Sequence, residues 1–324
     1  MERRTLGRTG EDVTILGYGS MELRGAPRGR PIRDEVAERL LHAVLDNGVN
    51  LIDTSIDYGR AEGLIGRFIA HRRDEYFLAS KFGCPVGGPE GGTLGPIPHH
   101  YDEKNIRGGV EQSLRRLRTD SLDLLQVHIS PSRSQMESDR TIETMAALRD
   151  EGKARFIGMS GTLPHLREHI AMGVFDVFQI PYSALQNEHA ELITAASQAG
   201  AGTLIRGGAA RGAQADDKEA QVGPIGQPEG EGRRRWEASG VDELLDGMPR
   251  HEFVLRYTLS HPALSSAIVG TSSVGHFLAN VAIAAKGPLP DDLYGEAKRR
   301  FDSVTPSPGG DAGSAYIASS SVHR

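Results

Sequence analysis

The sequence predicts a single closed (β/α)8 barrel of the TIM type, and three observations carry that prediction. Short apolar runs recur along the chain, each followed by a longer stretch with helical spacing, eight times over. The runs are continuously apolar rather than alternating, the pattern of strands buried on both faces of a parallel sheet with helices outside it. The glycine fingerprint of an open dinucleotide-binding sheet, Gly-x-Gly-x-x-Gly between a first strand and a first helix, does not occur near the N-terminus, so closure is preferred to a doubly wound sheet.

Taken in order, residues 4–6 and 13–15 flank Gly7-Arg8-Thr9-Gly10 and read as an N-terminal β-hairpin capping one end of the barrel. The apolar runs place strands at 16–21, 51–53, 76–81, 122–127, 154–160, 177–181, 202–206 and 266–269. The helical spacing between them places helices at 34–46, 61–70, 105–117, 141–151, 163–172, 190–199, 249–259 and 274–284. Two segments break the rhythm. Residues 83–100, rich in glycine and proline, read as a long loop after strand three, and the more charged 211–240 as another after strand seven. Both follow carboxyl ends of strands, the active-site face of such barrels, and are expected to be walls or lids rather than linkers. Residues 305–324 have the Gly, Ser and Pro content of a flexible tail, leaving 1–304 as one domain.

Composition narrows the function classes. With 37 basic against 43 acidic residues and a net charge of −6, the chain has no cationic surplus for a nucleic-acid backbone. No stretch approaches the run of about 18 apolar residues that a membrane-spanning helix needs. The N-terminus lacks the apolar core of a secretory signal, and the single cysteine, Cys84, has no internal disulfide partner. A soluble protein of the reducing cytoplasm is expected.

Barrel chemistry uses polar residues at the carboxyl ends of several strands, and the chain supplies them in succession. Strand two ends at Asp53 with Tyr58 just beyond it, strand three at Lys81, and strand four at Val127 with His128 next. An acid, a phenol, an ammonium and an imidazole therefore converge on one mouth. A phenol with a pKa near 10 is a poor acid at neutral pH, and an adjacent ammonium from Lys81 would lower it. Asp53 would keep that lysine charged, and His128 would orient a substrate oxygen. Each residue alone has an ordinary alternative: a turn cap for Asp53, packing for Tyr58, a strand terminus for Lys81, a satisfied core imidazole for His128. Their arrival on successive strand ends favours a site. No metal site is assigned.

The segment Gly48-Val49-Asn50-Leu51-Ile52-Asp53-Thr54-Ser55-Ile56-Asp57-Tyr58-Gly59, with Glu62, resembles the signature of the aldo-keto reductase superfamily. Gly152-Lys153-Ala154-Arg155-Phe156-Ile157-Gly158-Met159-Ser160 resembles its strand-five motif and Gln179-Ile180-Pro181-Tyr182-Ser183 its strand-six motif. Ile268-Val269-Gly270-Thr271-Ser272-Ser273, followed by Asn280, resembles its nucleotide-binding loop and helix. The matches run in family order over about residues 4–300 and are jointly specific.

The resemblance implies an NADP(H)-dependent oxidoreductase acting on a small-molecule carbonyl or the matching alcohol, with Tyr58 as general acid, Lys81 and Asp53 tuning it and His128 positioning the carbonyl. It implies cofactor contacts from Gly19, Ser20, Met21, Asp53, Ser160, Gly161, Gln179, Arg206, Gly207, Gly208, Gly270, Thr271, Ser272, His276 and Asn280. Three departures from the family pattern stand out. Gly161 replaces the usual Asn after the strand-five serine. Arg206 replaces an aromatic residue that commonly stacks on the nicotinamide, and would stack there itself or bind an anionic substrate. Gly270 and His276 replace the usual Lys and Arg near the 2′-phosphate, leaving hydroxyls and helix N–H groups to hold phosphate. An alternative is a nucleotide-sensing regulatory subunit on the same barrel that controls a protein partner; the proton-donor set favours the enzyme. The oligomeric state is left open.

Overall fold

A short antiparallel hairpin, β1 (Arg3–Thr5) and β2 (Asp12–Thr14), precedes eight barrel strands in the computed structural model. These are β3 (Leu16–Gly19), β4 (Leu51–Asp53), β5 (Phe77–Phe82), β6 (Leu122–His128), β7 (Ala154–Ser160), β8 (Val177–Pro181), β9 (Gly202–Arg206) and β10 (Ser266–Gly270). Each pairs in parallel with its sequence neighbour, and β10 pairs with both β9 and β3, closing the barrel. The structure describes residues 1–87, 97–210 and 230–305. The loop expected at 83–100 is therefore described at its two ends only, and residues 211–229 and the tail beyond 305 lie outside the described residues.

Helices α1 (Asp34–Asp46), α2 (Ala61–Phe68), α3 (Glu103–Leu117), α4 (Arg133–Ser138), α5 (Thr141–Asp150), α6 (Leu166–Ala171), α7 (Ala190–Gln198), α8 (Glu231–Ser239), α9 (Arg250–Leu259), α10 (Val274–Ala285) and α11 (Asp291–Val304) surround the strands. The first shows how the chain specifies them. Ala37, Leu40, Leu41, Val44 and Leu45 fall on one face and are buried, while Asp34 and Glu35 place negative charge on the positive end of the helix. In α3, Asp102 caps the start by accepting from Asn105 N at 3.0 Å. No described helix is long and apolar enough to cross a membrane.

Three helices correct the sequence reading. Residues 231–239, expected within a loop, form α8, whose Trp236 is 3% exposed and packs edge-on against Phe253. Helix α11 follows Pro290, carries Asp291 and Asp292 in its first turn, and buries Ala297 and Phe301. The short α4 is capped by Ser132, which accepts from Gln135 N at 3.2 Å. Strand one also ends earlier than expected, at Gly19, because Ser20–Leu23 turn into a 3-10 helix.

The barrel interior is layered. Leu51, Phe77, Ala79, Leu124, Val177, Leu204 and Ile268 fill its lower part, together with Leu6 and Val13 from the hairpin, so the hairpin plugs the amino end. A second cluster fills the space between strands and helices. Both faces of the strands are thus buried, as their apolar runs require.

Candidate functional site

One inward position beyond the apolar layer, side chains become polar. Asp53 follows Leu51 on β4, Lys81 follows Ala79 on β5, Gln126 and then His128 follow Leu124 on β6, Gln179 follows Val177 on β8, and Arg206 follows Leu204 on β9. The period of two along each strand puts all of them at the carboxyl-end mouth. A cleft of about 680 Å³ opens at the opposite end, where Arg73 and Arg155 neutralise Asp123 at 2.7 and 2.8 Å. The reactive groups do not line it.

Lys81 anchors the mouth. Its Nζ donates to both oxygens of Asp53 at 2.7 Å and to the Thr54 carbonyl at 2.8 Å, and its side chain is 0% exposed. An ammonium has three N–H bonds, so all three are spent. Asp53 Oδ1 also accepts from Gln179 Nε2 at 2.8 Å and from Gln126 Nε2 at 3.3 Å, and Ser160 Oγ donates to Gln179 Oε1 at 3.0 Å. Ser160, Gln179, Asp53 and Lys81 therefore form one continuous network across four strands. Glu62, buried at the start of α2, accepts from Ser80 Oγ at 2.8 Å on the outer side of β5.

Tyr58 lies against this network through its ring, whose centroid is 5.1 Å from Lys81 Nζ. The expected lowering of its pKa by Lys81 is not what this arrangement produces. Burial, Asp53 and Asp57 push the phenol well above its ordinary value, with Arg206 opposing. Burial is the largest cause, the two carboxylates add to it, and Lys81, whose three N–H bonds go to Asp53 and Thr54, has none left for the phenol oxygen. Tyr58 is therefore a protonated phenol across the neutral range.

His128 ends β6 on the other side of the mouth. Burial pushes its pKa down, Asp57 opposes, and Lys81, His99 and Arg206 add to the lowering, so the imidazole is neutral and carries one N–H. Its Nδ1 stands 3.6 Å from Cys84 Sγ and 4.0 Å from Asp57 Oδ1. Burial alone would raise the Asp57 carboxyl, yet it lies below its ordinary range. Asp57 and His128 act on each other, and the Ser55 hydroxyl and Arg28, 3.7 Å away, also favour the charged carboxylate. The field of Arg206 reaches Tyr58, His128 and His189, which places that guanidinium at the same mouth.

A second group of sequence-selected residues adjoins the first through β3. Gly19 is in register with Asp53 on one side and Gly270 on the other, and a Cβ on Gly270 would come within 3.1 Å of the Gly19 carbonyl. Ser20 and Met21 follow in the 3-10 turn, and the buried Ser20 Oγ has no hydrogen-bond partner among the described residues. Tyr18 Oη donates to the Thr271 carbonyl at 2.9 Å, and Ser273 rather than Ser272 caps α10, accepting from His276 N at 3.3 Å. Asn280 is buried and bonded to His251 at 2.7 Å, whereas the His276 side chain is exposed. Gly161 N donates to the Gln179 carbonyl, Gly207 takes a left-handed turn with φ of 76°, and the Gly208 carbonyl accepts from Thr258 Oγ1.

Sequence reasoning missed Gln126, Asp57, Arg28, Cys84 and His99. Gln126 had a signal, since it lies two residues before His128 on the same strand face. Cys84 and His99 had none, because a long connection separates them and only the fold brings them together. Gly83 permits that approach: with φ of 118°, a Cβ there would lie 2.3 Å from the His128 carbonyl oxygen. Gly83→Ala is expected to destabilise the protein by at least ~1–3 kcal/mol in urea unfolding and to displace His128. Wild-type stability in that variant would contradict the close approach.

Residues 15–299 match the family model of the Aldo/keto reductase family. The chain is 27% identical to the uncharacterized oxidoreductase YqkF of Bacillus subtilis, covering 90% of this chain and 94% of that one. It is also 27% identical to the L-galactose dehydrogenase of Arabidopsis thaliana, covering 87% and 88% of the two chains. Among solved structures, the holo form of aldo-keto reductase AKR11C1 from Bacillus halodurans superposes with a TM-score of 0.78 at 27% identity, over 93% of this chain and 96% of that one.

Proposed function

Because the chain belongs to the aldo/keto reductase family, we propose that it is an NADP(H)-dependent oxidoreductase that interconverts an aldehyde or ketone with its alcohol, using Tyr58 as the proton donor. The observation that supports this most is the meeting of a protonated Tyr58, a fully engaged Asp53–Lys81 pair and a neutral His128 at one barrel mouth. When bound, a reduced nicotinamide supplies the hydride.

The residues around the mouth fit such a group. Gln179 uses one of its two amide N–H bonds on Asp53 and one carbonyl lone pair on Ser160, leaving capacity for a carboxamide. The orphaned Ser20 hydroxyl and the tight Gly19–Gly270 approach fit a phosphate that must come close to backbone. On that basis the cofactor contacts belong to Gly19, Ser20, Met21, Ser160, Gly161, Gln179, Arg206, Gly207, Gly208, Gly270, Thr271, Ser272, His276 and Asn280.

The protein's own part in reduction follows from the charges. Tyr58 holds its proton at Oη because burial and two carboxylates disfavour the phenolate. As negative charge develops on the substrate oxygen, His128 donates its N–H to that atom and Tyr58 transfers its proton. The phenolate left behind faces the Lys81 ammonium, 5.1 Å from its ring centre, which offsets the new charge. Arg206 adds a second positive charge at the mouth and suits a substrate bearing an anionic or polyol group.

The test is steady NADPH oxidation with a panel of aldehydes, ketones and sugars, the last included because one relative is an L-galactose dehydrogenase. Cofactor that binds without turnover on any member would replace this reading with the sensor alternative. For cofactor choice, His276→Ala is expected to weaken NADPH binding about three- to tenfold, the value of roughly one hydrogen bond, and to leave NADH binding unchanged. Equal losses for both nucleotides would detach His276 from the 2′-phosphate.

A further inference from the structure

Outside the Asp53 network, the mouth holds a second cluster of reactive side chains, of which Cys84 and His99 have no part in the reductase reading and His128 is shared with it. Cys84 Sγ lies 3.6 Å from His99 Nε2 and 3.6 Å from His128 Nδ1, and the three atoms all fall within 4.8 Å of one another. A thiolate and two imidazoles are the donor set of zinc and its soft first-row neighbours. Tetrahedral bonds of about 2.3 Å to sulfur and 2.0–2.1 Å to nitrogen put sulfur and nitrogen about 3.6 Å apart. Both observed sulfur–nitrogen distances match that value.

The scaffold holds the three donors in place. His100 N donates to the Gly83 carbonyl at 2.7 Å, and Asn105 Nδ2 donates to the carbonyls of Cys84 and His100 at 3.2 and 2.9 Å, so the two ends of the connection are tied together. Tyr101 Oη donates to the His128 carbonyl at 3.0 Å and stacks on His99. Cys84 is 2% exposed and both histidines are half-buried, which gives a dry thiol with an open approach. As a free nucleophile Cys84 makes a poor candidate, since burial and then Asp57 push its thiol far above the ordinary range.

We propose that Cys84, His99 and His128 form a binding site for a divalent ion of the zinc class, with a fourth position open toward Asp57 and the mouth. Coordination forms one bond to sulfur and two to nitrogen, and the thiol proton leaves to solvent as the thiolate binds. With Nδ1 of His128 engaged, the imidazole can carry its proton only on Nε2, so the ion would fix the tautomer of the residue assigned to the substrate oxygen.

Cobalt(II) provides the probe. Titrated into the chelator-treated full chain, it is expected to bind in one equivalent and produce both a near-ultraviolet thiolate charge-transfer band and the intense visible bands of a four-coordinate ion. Zinc should then bleach them. The chain has one cysteine, so the charge-transfer band reports Cys84 alone, and Cys84→Ser should abolish it. His99→Ala should weaken cobalt binding more than ~10-fold. X-ray absorption of the zinc-loaded wild type, which needs no variant, should show one sulfur and two imidazole nitrogens. Only the weak spectrum of six-coordinate cobalt, a zinc shell without sulfur, or undiminished affinity in His99→Ala would overturn the site. None of these readouts depends on turnover, so failure of the metal site and failure of the reductase reading are separately visible.

Discussion

Tyr58→Phe is expected to lower carbonyl turnover by at least ~10²-fold while leaving the dissociation constant for cofactor nearly unchanged. The substitution deletes the proton at Oη and keeps the ring that lies over Lys81, so packing and cofactor geometry survive. Stopped-flow reduction together with fluorescence titration of NADPH separates the two effects. Turnover above about a tenth of wild type would remove Tyr58 from the proton-transfer step. The pH profile gives an independent check. The donor is active below its pKa, and burial, Asp53 and Asp57 raise that pKa; kcat/KM for reduction should therefore stay flat through neutrality and fall only in the alkaline range.

Lys81→Met is expected to cost about 3–5 kcal/mol of folding stability in addition to activity, the usual consequence of stranding one member of a buried ion pair. Asp53 would lose the partner that meets both of its oxygens and would keep only the two glutamine amides. The sign of the pH dependence follows. A stranded carboxylate destabilises the fold only while it is ionised, so the deficit should shrink as the pH falls. Asp53→Asn combined with Lys81→Met removes the stranded charge and should recover most of the loss in urea unfolding. A double variant as unstable as Lys81→Met alone would show that the deficit comes from packing and not from charge.

The barrel was legible because its strands must be buried twice over, and runs such as Leu122–His128 carry that requirement in plain order. Asp53, Lys81 and His128 were legible for a related reason, since a polar residue closing an apolar strand has only the mouth to occupy. The helix at Glu231–Ser239 was hidden by three arginines and two glutamates flanking its one large apolar anchor, Trp236. The direction of the Tyr58 shift was hidden more deeply. It depends first on how deeply the ring is buried and then on the nearness of Asp53 and Asp57, neither of which a local pattern encodes. The same holds for Cys84 and His99, whose proximity depends on the way Asn105 ties the ends of a long connection.

Inside the barrel, one step of two residues separates oil from chemistry: Leu51 from Asp53, Ala79 from Lys81, Leu124 from Gln126, Val177 from Gln179. A strand that slipped by one residue would turn its apolar side chains toward the helices' side and withdraw its polar one from the partners that neutralise it. The layer between strands and helices would accept the apolar side chains but would leave the polar one buried without its partners. A chain whose strands are in register for the core has therefore also brought its polar groups to the mouth.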